Sequence, residues 1–233
     1  MLSIVIPTFN EEKRILPTLE ALTKFLGEFP RGRREYEILV VDDGSDATAE
    51  IVRGFSKNNR RVRLIRFARR IGKGAAVKRG LSAARGSEIV VYDADAAAPP
   101  SEIPKLVRAL RAYDVAVGVR RESVGPLRRR LIRKAYNFLV RFLFGWRFRD
   151  TQCGFKALRA AAAKKIAGEL RRGGYEFDVE LLARARKHGF SIVEIPVEWR
   201  HVPGGPIDSA SFSESLAAAA RMIFGTVLVR LEA

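Results

Sequence analysis

The stretch Ile89-Val90-Val91-Tyr92-Asp93-Ala94-Asp95 decides how the rest of the chain is read. Its first half is a short run of branched and aromatic side chains, which suits a strand buried in a parallel sheet. Its second half sets two carboxylates two residues apart, where the strand runs out. Open α/β sheets bind their ligands at that edge. Hard oxygen donors there suit Mg2+ or Mn2+, an ion that also grips a diphosphate. An Asp-x-Asp pair equally serves to open a loop or cap a helix, so its meaning depends on what flanks it.

Upstream, apolar runs at Met1–Pro7, Glu37–Val41 and Val62–Phe67 read as strands, and Val115–Val119 follows downstream. Helical periodicity lies between them: Ile15 to Phe25, a segment capped by Ser45 or Asp46 and running to Phe55, Ala75 to Ala84, and Ser101 to Arg111 after Pro99-Pro100. Strands alternating with helices at this spacing predict βαβ units and a mostly parallel sheet flanked by helices. Each strand ends in polar residues: Thr8-Phe9-Asn10-Glu11-Glu12, Asp42-Asp43-Gly44-Ser45, and Asp93-Ala94-Asp95.

The character changes after Arg120. From 124 to 146 arginines and lysines, among them Arg128, Arg129, Arg130, Arg133 and Lys134, interleave with Leu131, Phe138, Phe142 and Trp146. Such a segment lies in a membrane interface, or it packs an apolar stripe on the core with a solvated basic face. Asp150-Thr151-Gln152-Cys153-Gly154-Phe155-Lys156-Ala157-Leu158 reads as a turn about Gly154. Helices are expected over Ala160–Leu170 and from Phe177 to Lys187, broken apart by Gly173-Gly174. Asp178 and Glu180 suit the positive end of the second helix, or one of them serves as a catalytic or sugar-binding carboxylate. Ser191–Val197 reads as a mostly buried strand, and His201 as a surface loop residue. The tail over 213–231 reads as a helix that lies on a membrane or docks on the sheet.

Composition narrows the partners. The 233 residues are 47% hydrophobic and carry a net charge of +17. That excess of cations points to an anionic partner: nucleic acid, a membrane surface or a phosphorylated substrate. Nucleic acid is disfavoured, because the basic residues form no recognisable helix-turn-helix or RNA-binding pattern and carboxylates at strand ends would repel a phosphate backbone. The single Cys153 excludes an intrachain disulfide framework and a cysteine-rich zinc site. The first residues read as a strand rather than a signal peptide, and no run reaches the ~18 apolar residues of a membrane span.

Taken together, these motifs resemble the inverting glycosyltransferases of family two, which have the nucleotide-sugar-binding GT-A fold. The resemblance rests on Ile6-Pro7-Thr8-Phe9-Asn10-Glu11, Val41-Asp42-Asp43-Gly44-Ser45, Gly72-Lys73-Gly74 and Asp93-Ala94-Asp95, in that order. Asp150 to Lys156 and Phe177 to Leu182 look like the branch that glycosylates dolichyl or polyprenyl phosphate. The resemblance implies a single GT-A domain over 1–233, with a nucleotide-sugar half at 1–122. The remaining 123–233 would form an acceptor and membrane half with amphipathic interfacial helices. It implies that Pro7, Phe9, Glu11, Asp43, Lys73, Asp93 and Ala94 line the nucleotide-sugar site, with Asp43 meeting the base. Asp93 and Asp95 would hold Mg2+ or Mn2+. Arg120 and Arg129 would meet phosphate groups, and Asp95, Arg120, Arg129 and Asp178 would form the catalytic set.

Two departures stand out. Ala97 takes the place of a glutamine metal ligand found in mannose synthases. Asp208-Ser209-Ala210 lacks a lysine common to the family, which assigns one acceptor phosphate contact to Arg200. The expected donor is UDP-glucose or GDP-mannose and the expected acceptor a dolichyl or polyprenyl phosphate. The expected place is the cytoplasmic face of a membrane, held peripherally. The alternative acceptor is a soluble sugar or protein. An enzyme of that kind needs the same front half but not the basic aromatic segment, and it wants a carboxylate base such as Asp178.

Overall fold

Alternation of apolar strands and amphipathic helices produces a seven-stranded sheet in the computed structural model. The structure describes residues 1–28, 35–120, 127–200, 202 and 212–232, and over 127–130 and 212–216 it describes the backbone alone. The strands are β1 (Leu2–Thr8), β2 (Tyr36–Asp42), β3 (Val62–Arg66), β4 (Glu88–Val91), β5 (Val115–Arg120), β6 (Lys156–Arg159) and β7 (Ile192–Val197). Their order across the sheet is β3-β2-β1-β4-β6-β5-β7. The helices are α1 (Ile15–Gly27), α2 (Thr48–Asn58), α3 (Lys73–Ala83), α4 (Ile103–Ala109), α5 (Leu127–Phe144), α6 (Ala160–Glu169), α7 (Phe177–Lys187) and α8 (Phe212–Glu232).

The central strands β1 and β2 are buried along their whole length. Alternate side chains serve two cores. Ile4 and Ile6 pack with α1 and α4 residues on one face, while Val5, Leu39 and Val91 pack with α3, α6 and α7 residues on the other. Each such side chain contributes about 1.5–3 kcal/mol by leaving water. The chain first adds strands outward from β1 to β3, then crosses back to place β4 on the other side of β1. The carboxyl ends of β1 and β4 therefore flank a topological switch point, where open α/β sheets have a crevice.

Several local expectations need correction. The segment 150–158 is not only a turn. Its end is β6, which runs antiparallel between β4 and β5. Only four residues long, it gives too few positions for a periodic signal. Strand β7 is half-exposed rather than mostly buried, because it is the sheet edge. Helix α3 begins at Lys73, and α4 follows a single 3-10 turn at Pro100–Glu102. The N-cap of α2 is Ala47. Asp46 caps from one residue earlier, its Oδ1 accepting from the Thr48 N–H at 3.0 Å and from the Thr48 hydroxyl at 2.6 Å.

The tail helix α8 docks, on α5 and α7 rather than on the sheet. Its Thr226 and Val229 are buried, and the Tyr136 and Thr226 hydroxyls of α5 and α8 meet at 2.6 Å. Arg230 Nε donates to the Leu143 carbonyl at 2.8 Å, and Glu232 pairs with Arg172 and Arg184. The opposite side of α8 leaves Ile223, Phe224 and Leu231 exposed. His201 and Asp208-Ser209-Ala210 lie outside the described residues, as does the side chain of Arg129.

Candidate active site

Backbone geometry at the ends of β1 and β2 builds one wall of the crevice. Asp42 Oδ1 accepts from the Thr8 hydroxyl at 2.9 Å and from the Gly44 N–H at 3.3 Å. Asn10 stands at φ 56, a conformation that asparagine tolerates, and its Oδ1 accepts from the Ser45 N–H. A Cβ on Gly44 would lie 2.6 Å from the Asn10 nitrogen, so the two loops touch only because residue 44 has no side chain. Asp43 Oδ2 accepts from the Ile71 and Gly72 N–H groups at 2.8 and 2.7 Å, which draws the loop before α3 toward the crevice. Phe9 lies beneath the Arg70 guanidinium, 4.1 Å from its ring centre, a cation–π contact at the same wall.

The second wall follows β4. Asp93, Ala94 and Asp95 form a tight turn whose Ala96 stands at φ 50. The Asp95 Oδ1 accepts from the Ala97 N–H at 3.0 Å, the Thr18 hydroxyl of α1 donates to the Ala94 carbonyl at 2.7 Å, and the Tyr92 hydroxyl donates to the Ala98 carbonyl. The Arg200 N–H donates to the Ala97 carbonyl at 2.7 Å, bringing that backbone to the turn while its side chain is exposed. Ala97 itself is buried, so this position supplies backbone and no ligand.

Charge is concentrated here. Lys73 Nζ sits 2.7 Å from Asp93 Oδ1. Burial alone would raise the Asp93 pKa, but Lys73, Lys156 and Arg120 together hold it below the ordinary carboxylate range. Burial and the Asp93 charge push Asp95 upward. Burial would favour neutral Lys73, yet Asp93 and Asp178 keep it firmly cationic. Glu11 is 2.5 Å from Arg14. Burial raises it, Arg14 opposes, and Asp95 and Asp93 add to the rise, leaving it at about 7. Burial first, and then the neighbouring carboxylates, push Asp95 and Glu11 upward, so a cation placed between them would be favourable. Among the described residues no three metal-type side chains converge into a ready cage. Two carboxylates plus substrate phosphates are nonetheless the usual shell for Mg2+ at a nucleotide.

The floor is the segment 149–156. Arg120, at the end of β5, grips Asp150 bidentately at 2.6 and 2.7 Å and leans on Trp199. Asn137 of α5 accepts from the Thr151 N–H and hydroxyl, and Glu194 of β7 accepts from the Arg149 and Asp150 N–H groups. Lys156 is fully buried. Its Nζ meets Asp178 Oδ1 and the Cys153 carbonyl, each at 2.5 Å. Asp178 is thus enclosed beneath the site and paired. Glu180 lies elsewhere, accepting from the Arg171 and Arg172 N–H groups and from Arg184. Burial also lifts the Cys153 thiol, to about 12, so it is inert. The sequence assigns no individual role to Lys156, Asp150 or Gly154. A lysine between Phe155 and Ala157-Leu158 in an apolar run was the available signal.

The sequence-expected residues at the two walls and the floor, Pro7, Phe9, Glu11, Asp43, Lys73, Asp93, Ala94, Asp95 and Arg120, thus all stand at the carboxyl edge of one sheet. An open, mostly parallel sheet with carboxylates at its switch point defines the class: an α/β enzyme of nucleotide-binding architecture. The chain belongs to glycosyl transferase family 2, whose pattern matches residues 3–167, and it is a glycosyltransferase. It is 36% identical to the dolichyl-phosphate beta-glucosyltransferase of Saccharomyces cerevisiae, over 92% of this chain and 72% of that one. It is 34% identical to the human protein of the same name, over 88% and 69%. The fold matches glucosyl-3-phosphoglycerate synthase of Mycobacterium tuberculosis, crystallised with Mn2+, uridine diphosphate and phosphoglyceric acid. The TM-score is 0.74 at 20% identity, over 99% of this chain and 78% of that one.

Proposed function

We propose that the protein transfers a hexose, glucose in the first instance, from a nucleoside diphosphate sugar to a dolichyl or polyprenyl phosphate, with inversion. The observation that carries this reading is the gathering, at one sheet edge, of the acidic pair Asp93 and Asp95 with two cations, Lys73 bound to Asp93 and Arg120 held by Asp150. It stands on a chain whose relatives named for that transfer align over most of its length. One oxygen of the acceptor phosphate attacks the anomeric carbon from the face opposite the leaving group. The new C–O bond forms as the bond to the diphosphate breaks.

A phosphate oxygen is already ionised near neutral pH, so no strong base is required. The obstacle is repulsion between two anions. Asp93 and Asp95 would hold Mg2+ or Mn2+ against the donor diphosphate, and the bound ion supplies charge neutralisation of the leaving group. Lys73 orients the Asp93 carboxylate and adds positive charge. Asp150 engages two of the Arg120 donors and leaves the rest of the guanidinium fork for the acceptor phosphate. Arg129 and Arg200 are assigned to the same phosphate, and Asp43 to the base of the nucleotide. Catalysis of this kind is mainly positioning and charge stabilisation.

The acceptor's lipid places the enzyme at a membrane. No helix among the described residues is long and apolar enough to cross one. Helix α5 exposes Leu131, Ile132, Phe138 and Phe142, and α8, packed beside it, exposes Ile223, Phe224 and Leu231. We assign this face to peripheral contact with an anionic, cytoplasm-facing lipid surface. The test is transfer of labelled glucose from UDP-glucose to dolichyl phosphate with Mg2+ or Mn2+, with GDP-mannose and a soluble sugar acceptor as comparisons. Product formed on the soluble acceptor alone would defeat the lipid-phosphate assignment.

A further inference from the structure

The register of β4 against β6 pairs Val91 with Lys156, so Asp93 comes to face Gly154. A Cβ built on Gly154 would lie 2.3 Å from Asp93 Oδ2, 2.8 Å from Oδ1 and 2.9 Å from the carboxyl carbon. The whole carboxylate therefore rests on a bare Cα, with Lys73 fixing its Oδ1 from the other side at 2.7 Å. Gly154 in turn has little freedom. It is flanked by Cys153, whose carbonyl accepts from Lys156, and by Phe155, which packs edge-on against Tyr92. The Lys156–Asp178 pair ties this loop to the first turn of α7 from below.

We propose that Gly154 is a positioning residue for the donor site: its missing side chain fixes where the Asp93 carboxylate lies, and the buried Lys156–Asp178 pair fixes Gly154. The inference rests on the reading that Asp93 and Asp95 hold the divalent ion. It gives Asp178 a supporting role through Lys156 rather than contact with substrate. A methyl group at position 154 displaces the carboxylate, because the adjoining backbone is anchored: the Tyr92 N–H donates to the Val5 carbonyl and the Phe155 carbonyl accepts from the Gly118 N–H, each at 2.9 Å. Groups that orient a metal ligand typically change metal affinity by about 10- to 100-fold when altered.

The test is a double-mutant cycle read in two ways: Mn2+ affinity with UDP present, followed by electron paramagnetic resonance of free Mn2+, and Tm without metal. Gly154→Ala is expected to weaken Mn2+ binding by about 10- to 100-fold and to lower Tm. In an Asp93→Ala background the clash is gone, so adding Gly154→Ala leaves Tm where it was. If Gly154→Ala alone does not fold, recovery of a folded protein on adding Asp93→Ala supports the proposal equally. Additive Tm losses overturn it. So does wild-type Mn2+ affinity in Gly154→Ala when Asp93→Ala is defective. Wild-type affinity in Asp93→Ala instead overturns the metal reading itself, which separates the two failures.

Discussion

Residue by residue, the carboxylates in the crevice are unequal. Asp93 is neutralised by Lys73, while Asp95 keeps one oxygen on the Ala97 N–H and is pushed upward by burial and by its neighbour. Asp95→Asn removes charge where the proposed ion sits and leaves shape unchanged. Glycosyl transfer is expected to fall by about 100-fold or more, measured as kcat/KM, with little change in Tm. Glu11 gives a pH prediction for the metal-free protein. Its folded pKa of about 7 lies above the ordinary 4.5, so the folded state holds a proton that the unfolded state has lost. Stability is therefore lost as pH rises from about 4.5 to about 7. Glu11→Gln cannot ionise, so its Tm is expected to gain on wild type between pH 5 and pH 8; a constant difference would refute the shift. The acidic pair was legible because it closes a strand that its own apolar run announces, whereas Pro7, Phe9, Glu11 and Asp43 were named through the family resemblance of the motifs that hold them. Gly154 and Lys156 received no role of their own. Their meaning lies in what stands across the sheet from them, and a cross-strand register over so short an element leaves no periodic trace.

Among the secondary-structure elements, β6 shows why. The sequence reads as a turn over Asp150–Leu158, and the strand at Lys156–Arg159 forms because β4 and β5 offer unpaired backbone on both sides. Tertiary context overrides local signal there. The longer helices were readable from spacing, and α7 was found together with its buried acidic first turn. The pattern alone did not separate Asp178 from Glu180, since both suit a helix start and differ only in partner; the family resemblance selected Asp178 as catalytic, where the structure buries it against Lys156. Lys156 is the cation that lets Asp178 be buried. Lys156→Met removes the only cation hydrogen-bonded to that carboxylate among the described residues, leaving the more distant Lys73, and the variant is expected to lose about 3–5 kcal/mol in urea denaturation. A loss below about 1 kcal/mol would mean that Asp178 finds water or another donor, and the floor would be softer than described.

Over the molecule as a whole, net charge and apolar exposure act together. A charge of +17 draws any anionic surface, at about 1 kcal/mol per well-placed Lys or Arg on a lipid bilayer. Charge alone does not choose between lipid and nucleic acid. The proposed lipid contact rests on the exposed apolar side chains of α5 and α8, because Phe138 at 66% and Phe142 at 78% exposure are costly in water and useful in an interface. Flotation with anionic liposomes is expected to carry the wild-type protein upward. Phe138→Ser with Phe142→Ser should leave most of it below, and high salt should weaken only the electrostatic part. Equal flotation of wild type and double variant would rule out the apolar face as a membrane contact. The sequence left open whether the tail lies on a membrane or docks on the sheet, and it docks instead on helices α5 and α7. The helix packs on the protein along one side and leaves its other side free for lipid, an outcome that follows from packing and not from composition.

Everything proposed for the donor site depends on the carboxylates that close β4 gripping a cation against the sugar nucleotide. Anomalous diffraction from crystals soaked in MnCl2 and UDP locates that cation without recourse to activity. A manganese peak is expected within bonding distance of an Asp95 carboxylate oxygen and of the diphosphate. UDP bound in the crevice with manganese remote from Asp93 and Asp95 would contradict it.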